Sequence, residues 1–353
     1  MNKLTKIGCS ALCGSLAAIS AANAGDLTVT GGVDMTWVSL GSNNTGNPIG
    51  IGSNLTFTGS GEADNGWTWD VTVANLNANA YSAAKVDIGM GGFGNLMINQ
   101  GDGNGLGAYD DKMPTAWEEP WGAGLNPDVQ LAGGIGTSQN IQYTTPSVLG
   151  TKIVLAYAPE VGASDTADKA TSGAASNELK KGYDAIIHMN PSLGTEILSG
   201  LNLYVGASYQ EKTKESATYQ QDIGQGTAQI TFDIGPLSLG YGVSATGTGY
   251  EARGTAGKPD LYKSHMYGVA FNVNDDLAIS YGYHDSRMEG VTTRDTSLNI
   301  EENRYVEVES WQVSYTMGGA SLRVADVEAK NVGFTNAASA DREATIISLG
   351  LAF

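Results

Sequence analysis

From Glu343 to Phe353 the chain puts Thr345, Ile347, Leu349, Leu351 and Phe353 on one side of an extended strand. Ile346, Ser348, Gly350 and Ala352 fall on the other, and the chain stops on the aromatic. Successive strand residues point to opposite faces, so this segment offers one ladder of large apolar groups and one of mainly small or polar groups. Such alternation suits a strand with hydrocarbon on one face and water on the other. Inside lipid, only helices and closed barrels satisfy every peptide group. Beyond its first two dozen residues the sequence has no apolar run near the ~18 residues that a spanning helix needs. A membrane reading therefore requires a closed barrel.

The N-terminus agrees. Lys3 and Lys6 precede an apolar stretch from Ile7 to Ala22, and Ala22-Asn23-Ala24 sets small residues at the two positions a signal peptidase reads. Residues 1–24 are expected to be a cleaved leader and Gly25 the first mature residue. Both cysteines, Cys9 and Cys13, lie in the leader. The mature chain thus folds without disulfides and offers neither a thiol nucleophile nor a thiolate metal site. The full chain has 19 Lys and Arg against 37 Asp and Glu, a net charge of -18. Loss of Lys3 and Lys6 takes this to -20. That argues against nucleic acid or an anionic surface as partner and favours cations.

Period-two segments recur along the whole mature chain. The first carries Leu27, Val29, Val33, Met35 and Trp37 opposite Asp26, Thr28, Thr30, Asp34 and Thr36; the third carries Trp67, Trp69, Val71 and Val73 opposite Thr68, Asp70 and Thr72. Each reads as apolar outside and polar inside. Sixteen such strands are expected, separated alternately by long polar loops and by short turns such as Gly91 to Gly94, Pro146 to Gly150, Gly235-Pro236 and Gly318-Gly319. An even count returns both ends to one side, the side of the short turns, which in bacterial barrels is the periplasm. Outward aromatics sort into two girdles: Phe57, Trp67, Phe232, Phe271, Tyr315 and Phe353 beside short turns, and Trp37, Tyr157, Tyr209, Tyr281, Tyr283 and Trp311 near long loops. A soluble sandwich would alternate too, but would need neither this sorting nor the leader.

The longest connection, Gly101 to Thr137, is far longer than a hairpin requires, and loops of that length are commonly functional. It holds Asp102, Asp110, Asp111, Glu118, Glu119 and Asp128 against one base, Lys112, and it also contains Trp117, Trp121 and three prolines. Folded into the barrel, it would set a negative potential there and favour cations; left outside, its acids would only keep it solvated. The residues alone leave both readings open. Asp102 with Asn104, and Asp110 with Asp111, also present hard oxygen ligands for a structural calcium, although the spacing matches no EF-hand loop.

Phe93-Gly94-Asn95-Leu96-Met97-Ile98 before this loop, Asn140-Ile141-Gln142-Tyr143-Thr144-Thr145-Pro146 and Leu149-Gly150 after it, the opening Leu27 to Trp37 strand and the terminal Phe353 together resemble the general diffusion porins of Gram-negative bacteria, of the alphaproteobacterial type. The resemblance implies a sixteen-stranded antiparallel transmembrane β-barrel, 25–353, in the outer membrane. It implies a homotrimer whose third external loop, 101–137, folds inward as the constriction. Asp102, Asp110, Asp111, Glu118 and Glu119 then become the constriction acids. The family sets such acids against a basic cluster on the facing wall. By parity, the inward bases here are only Lys85, Lys152 and Arg323, accompanied by inward Asp34, Asp70, Asp87, Asp184 and Asp233. Passive diffusion of ions and small hydrophilic solutes with a cation preference is therefore expected, with no cofactor.

Two other functions deserve weighing. An outer-membrane hydrolase would pair His284-Asp285 with Asp110-Asp111 to activate water, yet His188, His265 and His284 are the only histidines and no nucleophile elbow appears. A sugar-specific or cation-nutrient channel is the nearer alternative; for a sugar, Trp117, Trp121 and Tyr109 would stack on a ring, whereas most aromatics fall on the lipid side.

Overall fold

The structure, a computed structural model, describes residues 24–353 apart from 40–42, 45, 78, 123, 163–178, 192–197, 213–220, 251–258 and 290–303. The expected leader, but for Ala24, lies outside the described residues. Sixteen strands follow one another: β1 Ala24–Val38, β2 Ile49–Glu62, β3 Thr68–Leu76, β4 Asn79–Gly89, β5 Asn95–Gln100, β6 Asn140–Thr144, β7 Thr151–Ala158, β8 Leu179–Met189, β9 Leu201–Lys212, β10 Ile223–Ile234, β11 Leu237–Gly247, β12 Leu261–Asn272, β13 Leu277–Glu289, β14 Tyr305–Met317, β15 Ala320–Lys330 and β16 Arg342–Ala352. Each pairs antiparallel with its sequence neighbours, and β16 returns to β1, so the sheet is a closed barrel without an edge. At the seam Val33 faces Leu351, Met35 faces Leu349 and Trp37 faces Ile347. Phe353 itself joins the ladder, exchanging backbone bonds with Gly31 at 3.1 and 3.0 Å. The terminal aromatic is therefore part of the closure.

The alternation read from the sequence is the alternation observed. Val205, Tyr209, Ile230, Tyr241, Val269, Ile279, Val313 and Leu349 stand exposed on the outer surface. Their strand neighbours Ser208, Gln210, Gln229, Ser244, Ser280, Gln312 and Ser348 are buried toward the interior. In lipid an exposed Val or Tyr is at no disadvantage, because hydrocarbon takes the place of a protein core.

One stretch reverses the expected polarity. At the external ends of β12 to β16, charged groups stand on the outer face: His265 opposite Asp285, Asp285 opposite Glu307, Glu309 opposite Glu328, and Glu328 opposite Glu343. The inner positions there are Met266, Val306, Val308, Ala325, Val327, Ala344 and Ile346, all buried. His265 Nδ1 lies 2.9 Å from Asp285 Oδ1, Tyr281 donates to Glu309 at 2.7 Å, and Lys330 pairs with Glu328 at 3.0 Å. The reversal has a simple cause. Inside, these strands are covered by the apolar part of the long loop; outside, they rise above the Trp311 and Tyr281 girdle that marks the water interface.

The wall is also uneven. β5 has 6 residues and β6 has 5, whereas β8 to β16 have 11 to 13 each. A tilted spanning strand needs about 9–11 residues.

Placing an arginine at the outward Val313 is expected to cost about 2–4 kcal/mol of folding stability in bilayers, because the guanidinium would face hydrocarbon. The same change at the lumen-facing Thr56 is expected to cost no more than about 1 kcal/mol. Equilibrium urea unfolding in lipid vesicles checks the contrast.

Candidate functional site: the lumen and its inward loop

The connection from β5 to β6 turns into the barrel and runs along the inner surface of the wall. Its backbone is taken up in turn by polar side chains of successive strands. Asn104 and Asn140 of β6 exchange side-chain bonds at 2.6 and 2.7 Å, and Gln142 accepts from the Gly105 amide at 2.9 Å. Asp184 of β8 accepts from Leu106 at 2.7 Å and again, on the return leg, from Ile135 at 3.1 Å. Gln229 of β10 accepts from Lys112 at 2.8 Å and donates to the Tyr109 carbonyl at 2.6 Å. Gln312 of β14 accepts from Trp117 and Glu118, both at 3.1 Å, and donates to the Glu118 carbonyl at 2.6 Å. Ser280, Ser286 and Ser264 hold Ala116 and Gln130. Apart from the Asn104–Asn140 pair, which joins two side chains, each of these bonds satisfies a loop peptide group that water would otherwise have to reach.

Apolar contacts do the rest. Leu106, fully buried, packs on Ala132, Val154 and Ile186, and Leu125 with Trp117, Trp121 and Val129 packs on Val308, Ala325, Val327, Ala344 and Ile346. Where the loop crosses β12 and β13 the wall supplies glycine. A Cβ on Gly268 would stand 2.8 Å from Met113 Cβ, and one on Gly282 would stand 2.5 Å from Pro120 Cγ. Only a hydrogen side chain lets the prolines of the loop come that close.

The loop thus covers the β7 to β16 side and leaves the lumen between itself and the wall of β1 to β4. At its edge Arg323 of β15 reaches across to Asp34 of β1 at 2.8 Å, and on the wall itself Lys85 of β4 pairs with Asp102 of the loop at 3.1 Å. Asp70 and Asp87 face each other in register on β3 and β4. From the loop side Glu118 comes near enough to Asp34 and Arg323 for their charges to act on it. Burial, with Glu119 adjoining, holds the Glu118 carboxyl above the usual carboxylate range. Burial likewise pushes Asp110 up to about 6, reinforced by Asp111 and Glu119 and opposed by the Asp111 amide and Lys112.

The expected constriction acids therefore separate into two kinds. Asp102, Asp110, Glu118 and Glu119 keep partial access to the lumen. Asp111 does not: its side chain is 1% exposed, with Trp121 Nε1 donating to it at 3.2 Å and the Met113 amide at 2.8 Å. Behind it lies His284, whose Nε2 is 3.2 Å away, although neither ring nitrogen of His284 has a partner in hydrogen-bond geometry. His284 is fully buried, sealed between loop and wall. It also faces the opposite side of β13 from Asp285, which bonds His265 on the outer surface, so the dyad weighed for a hydrolase is not assembled.

Asp102 sits at the start of the loop on Lys85, apart from Asp110 and Asp111, and among the described residues no three His, Cys, Asp or Glu side chains converge as a metal-ligand set. Trp117 and Trp121, read as a sugar platform, are committed to the apolar cluster over β14 to β16. Sequence reasoning missed the loop's anchors Gln229 and Gln312. Their signal was an amide side chain at inward parity among Ser and Thr.

A profile of Gram-negative porins matches residues 8–353. Among curated proteins none matches the sequence. Solved structures that resemble it include Salmonella typhi OmpF in complex with daunomycin, with a TM-score of 0.63 at 12% identity over 93% of this chain and 97% of that one. The outer membrane channel DcaP of Acinetobacter baumannii gives 0.62 at 11% identity over 93% and 97%. An anion-selective porin from Comamonas acidovorans gives 0.59 at 14% identity over 93% and 99%. At such identities the likeness is one of fold.

Replacing Asp184 with alanine leaves the Leu106 and Ile135 amides buried without an acceptor, a loss of about 1–3 kcal/mol for each. Amide exchange at both positions is expected to quicken by roughly 10- to 100-fold, while exchange in the β11 and β12 ladder stays unchanged.

Proposed function

The chain belongs to the Gram-negative porins, barrels of the outer membrane that serve as channels for passive diffusion, and from that membership we propose a cation-preferring pore for ions and small hydrophilic solutes. The observation that carries the preference is the charge balance around the loop. Arg323 is taken by Asp34 and Lys85 by Asp102. What remains on the lumen is Asp70, Asp87, Asp110, Glu118 and Glu119 against Lys112 and Lys152. Clustered carboxylates in a narrow aqueous passage raise the local cation concentration and repel anions. No catalysed step belongs to this reading.

The proposal includes a mature chain beginning at Gly25, supported by the small residues of Ala22-Asn23-Ala24, and a homotrimer. The low wall at β5 and β6 supports assembly, because strands of 6 and 5 residues are short of a full hydrocarbon span. Exposed Ile98, Ile141 and Leu155 on that side suit cover by a second copy.

The test is the zero-current potential across a planar bilayer under a salt gradient. A cation-selective potential is expected, shrinking in the Asp110→Asn, Glu118→Gln, Glu119→Gln triple variant. Asp111→Asn is expected to leave it nearly unchanged, since that carboxylate is walled off from the lumen. A potential indifferent to the triple variant would move the filter to Asp70 and Asp87.

The pH dependence has a definite sign. Asp110 titrates at about 6, so it is roughly nine-tenths ionised at pH 7 and one-tenth at pH 5. Cation preference is therefore expected to weaken as the pH falls from 7 to 5, and this fall is expected to be blunted in Asp110→Asn.

A further inference from the structure

Beneath the first bend of the loop the lumen changes character. Tyr109 meets two inward side chains of the wall, His188 of β8 and Tyr204 of β9. His188 and Tyr204 stack with ring centroids 4.5 Å apart and planes inclined by 28°. Tyr109 lies 5.9 Å from Tyr204 and, edge-on, 6.3 Å from His188. All three rings remain partly exposed. His188 and Tyr204 lie near the ends of β8 and β9 that adjoin the connection between them, opposite the end from which the loop enters, while Tyr109 is on the loop itself.

Two ammonium groups border these rings. Lys112 Nζ stands 5.4 Å from the Tyr109 ring centroid, and Lys152 of β7 is the register partner of His188. Both charges act on the His188 ring. Lys85 and Arg323 are occupied by carboxylates; Lys112 and Lys152 have no ion-pair partner among the described residues. Three acids stand nearby, none of them in an ion pair with either ammonium group. Asp184 is buried against the loop amides, and Asp233, whose charge reaches Tyr204, accepts from Ser238 at 2.5 Å. Asp110 lies beside Lys112 but accepts the Asp111 amide at 2.8 Å.

We propose that this patch is a weak binding station for monocyclic aromatic carboxylates, a reading that rests on the open channel argued above. A flat ring gains contact with Tyr109 and Tyr204, and its carboxylate meets Lys112 and Lys152 in charge-assisted hydrogen bonds. Other solutes satisfy only half of the surface. An aliphatic anion leaves the rings wet, a sugar leaves the ammonium groups unmatched, and an aromatic cation meets two like charges.

The experiment is single-channel recording of the mature protein in a planar bilayer at fixed ionic strength, with benzoate, acetate or benzylammonium added on the periplasmic side. Benzoate is expected to interrupt the current with a half-effect at roughly millimolar concentration, and acetate and benzylammonium to leave it steady. Lys112→Gln with Lys152→Gln, and separately Tyr204→Leu, are each expected to weaken the benzoate effect by about tenfold or more, on the order of 1.4 kcal/mol. Equal responses to benzoate and acetate, an equal response to benzylammonium, or interruption that survives the double lysine variant would each overturn the station while leaving the channel intact. A membrane that passes no potassium chloride overturns the channel and the station together.

Discussion

Everything in this molecule depends on one hydrogen-bonded seam. A sheet exposed to lipid cannot keep a free edge, because each unpaired peptide group in hydrocarbon costs several kcal/mol. The pairing of β1 with β16, fastened at its end by Gly31 and Phe353, removes the two edges at once. With the edges gone, the outer surface is free to be apolar and the inner surface free to be polar, and that division permits a wet interior in a chain without a conventional core. The small residues and hydroxyls of the inner wall follow from closure; they face water or the inward loop.

The loop solves the opposite problem. A long excursion into a water-filled barrel would be floppy if its own side chains had to order it, since fixing each backbone residue costs about 1–2 kcal/mol. The wall supplies the order. Asp184 holds both the outgoing and the returning leg, while Gln229 and Gln312 each hold consecutive peptide groups. Carboxylates that are not needed for this work are left at the lumen, which is why the same loop contains both structural and solute-facing acids.

How much of this was legible follows from what periodicity encodes. β5, β7, β11 and β15 each begin at the residue that follows a short turn read from the sequence, after Gly94, Gly150, Pro236 and Gly319, because glycine and proline break the period there. The loop's extent was equally plain. The identity of its lumen acids was only partly so: Asp110 and Asp111 are neighbours with like chemistry, and only the turn that bonds the Met113 amide to Asp111 decides which carboxylate is buried. His284 could not be placed from parity alone, since an inward side chain faces water or the loop depending on where the loop lies. The reversed polarity of Val306 and Val308 with Glu307 and Glu309 was visible as alternation, but its sign depends on the same missing fact. Alternation tells two faces apart; contacts hundreds of residues away say which face is wet.

Those distant contacts also order events in time. The loop leaves the barrel after the fifth strand, yet its anchors include Ser280, Gln312 and Arg342, the last reaching the Leu125 carbonyl across 217 positions of sequence. Its final path therefore cannot exist until the C-terminal hairpins have arrived, however early the loop itself emerges. Contacts of such separation form late. The passage is narrowed only as the wall around it is completed, so an unfinished barrel would be a wider and less selective hole than a finished one.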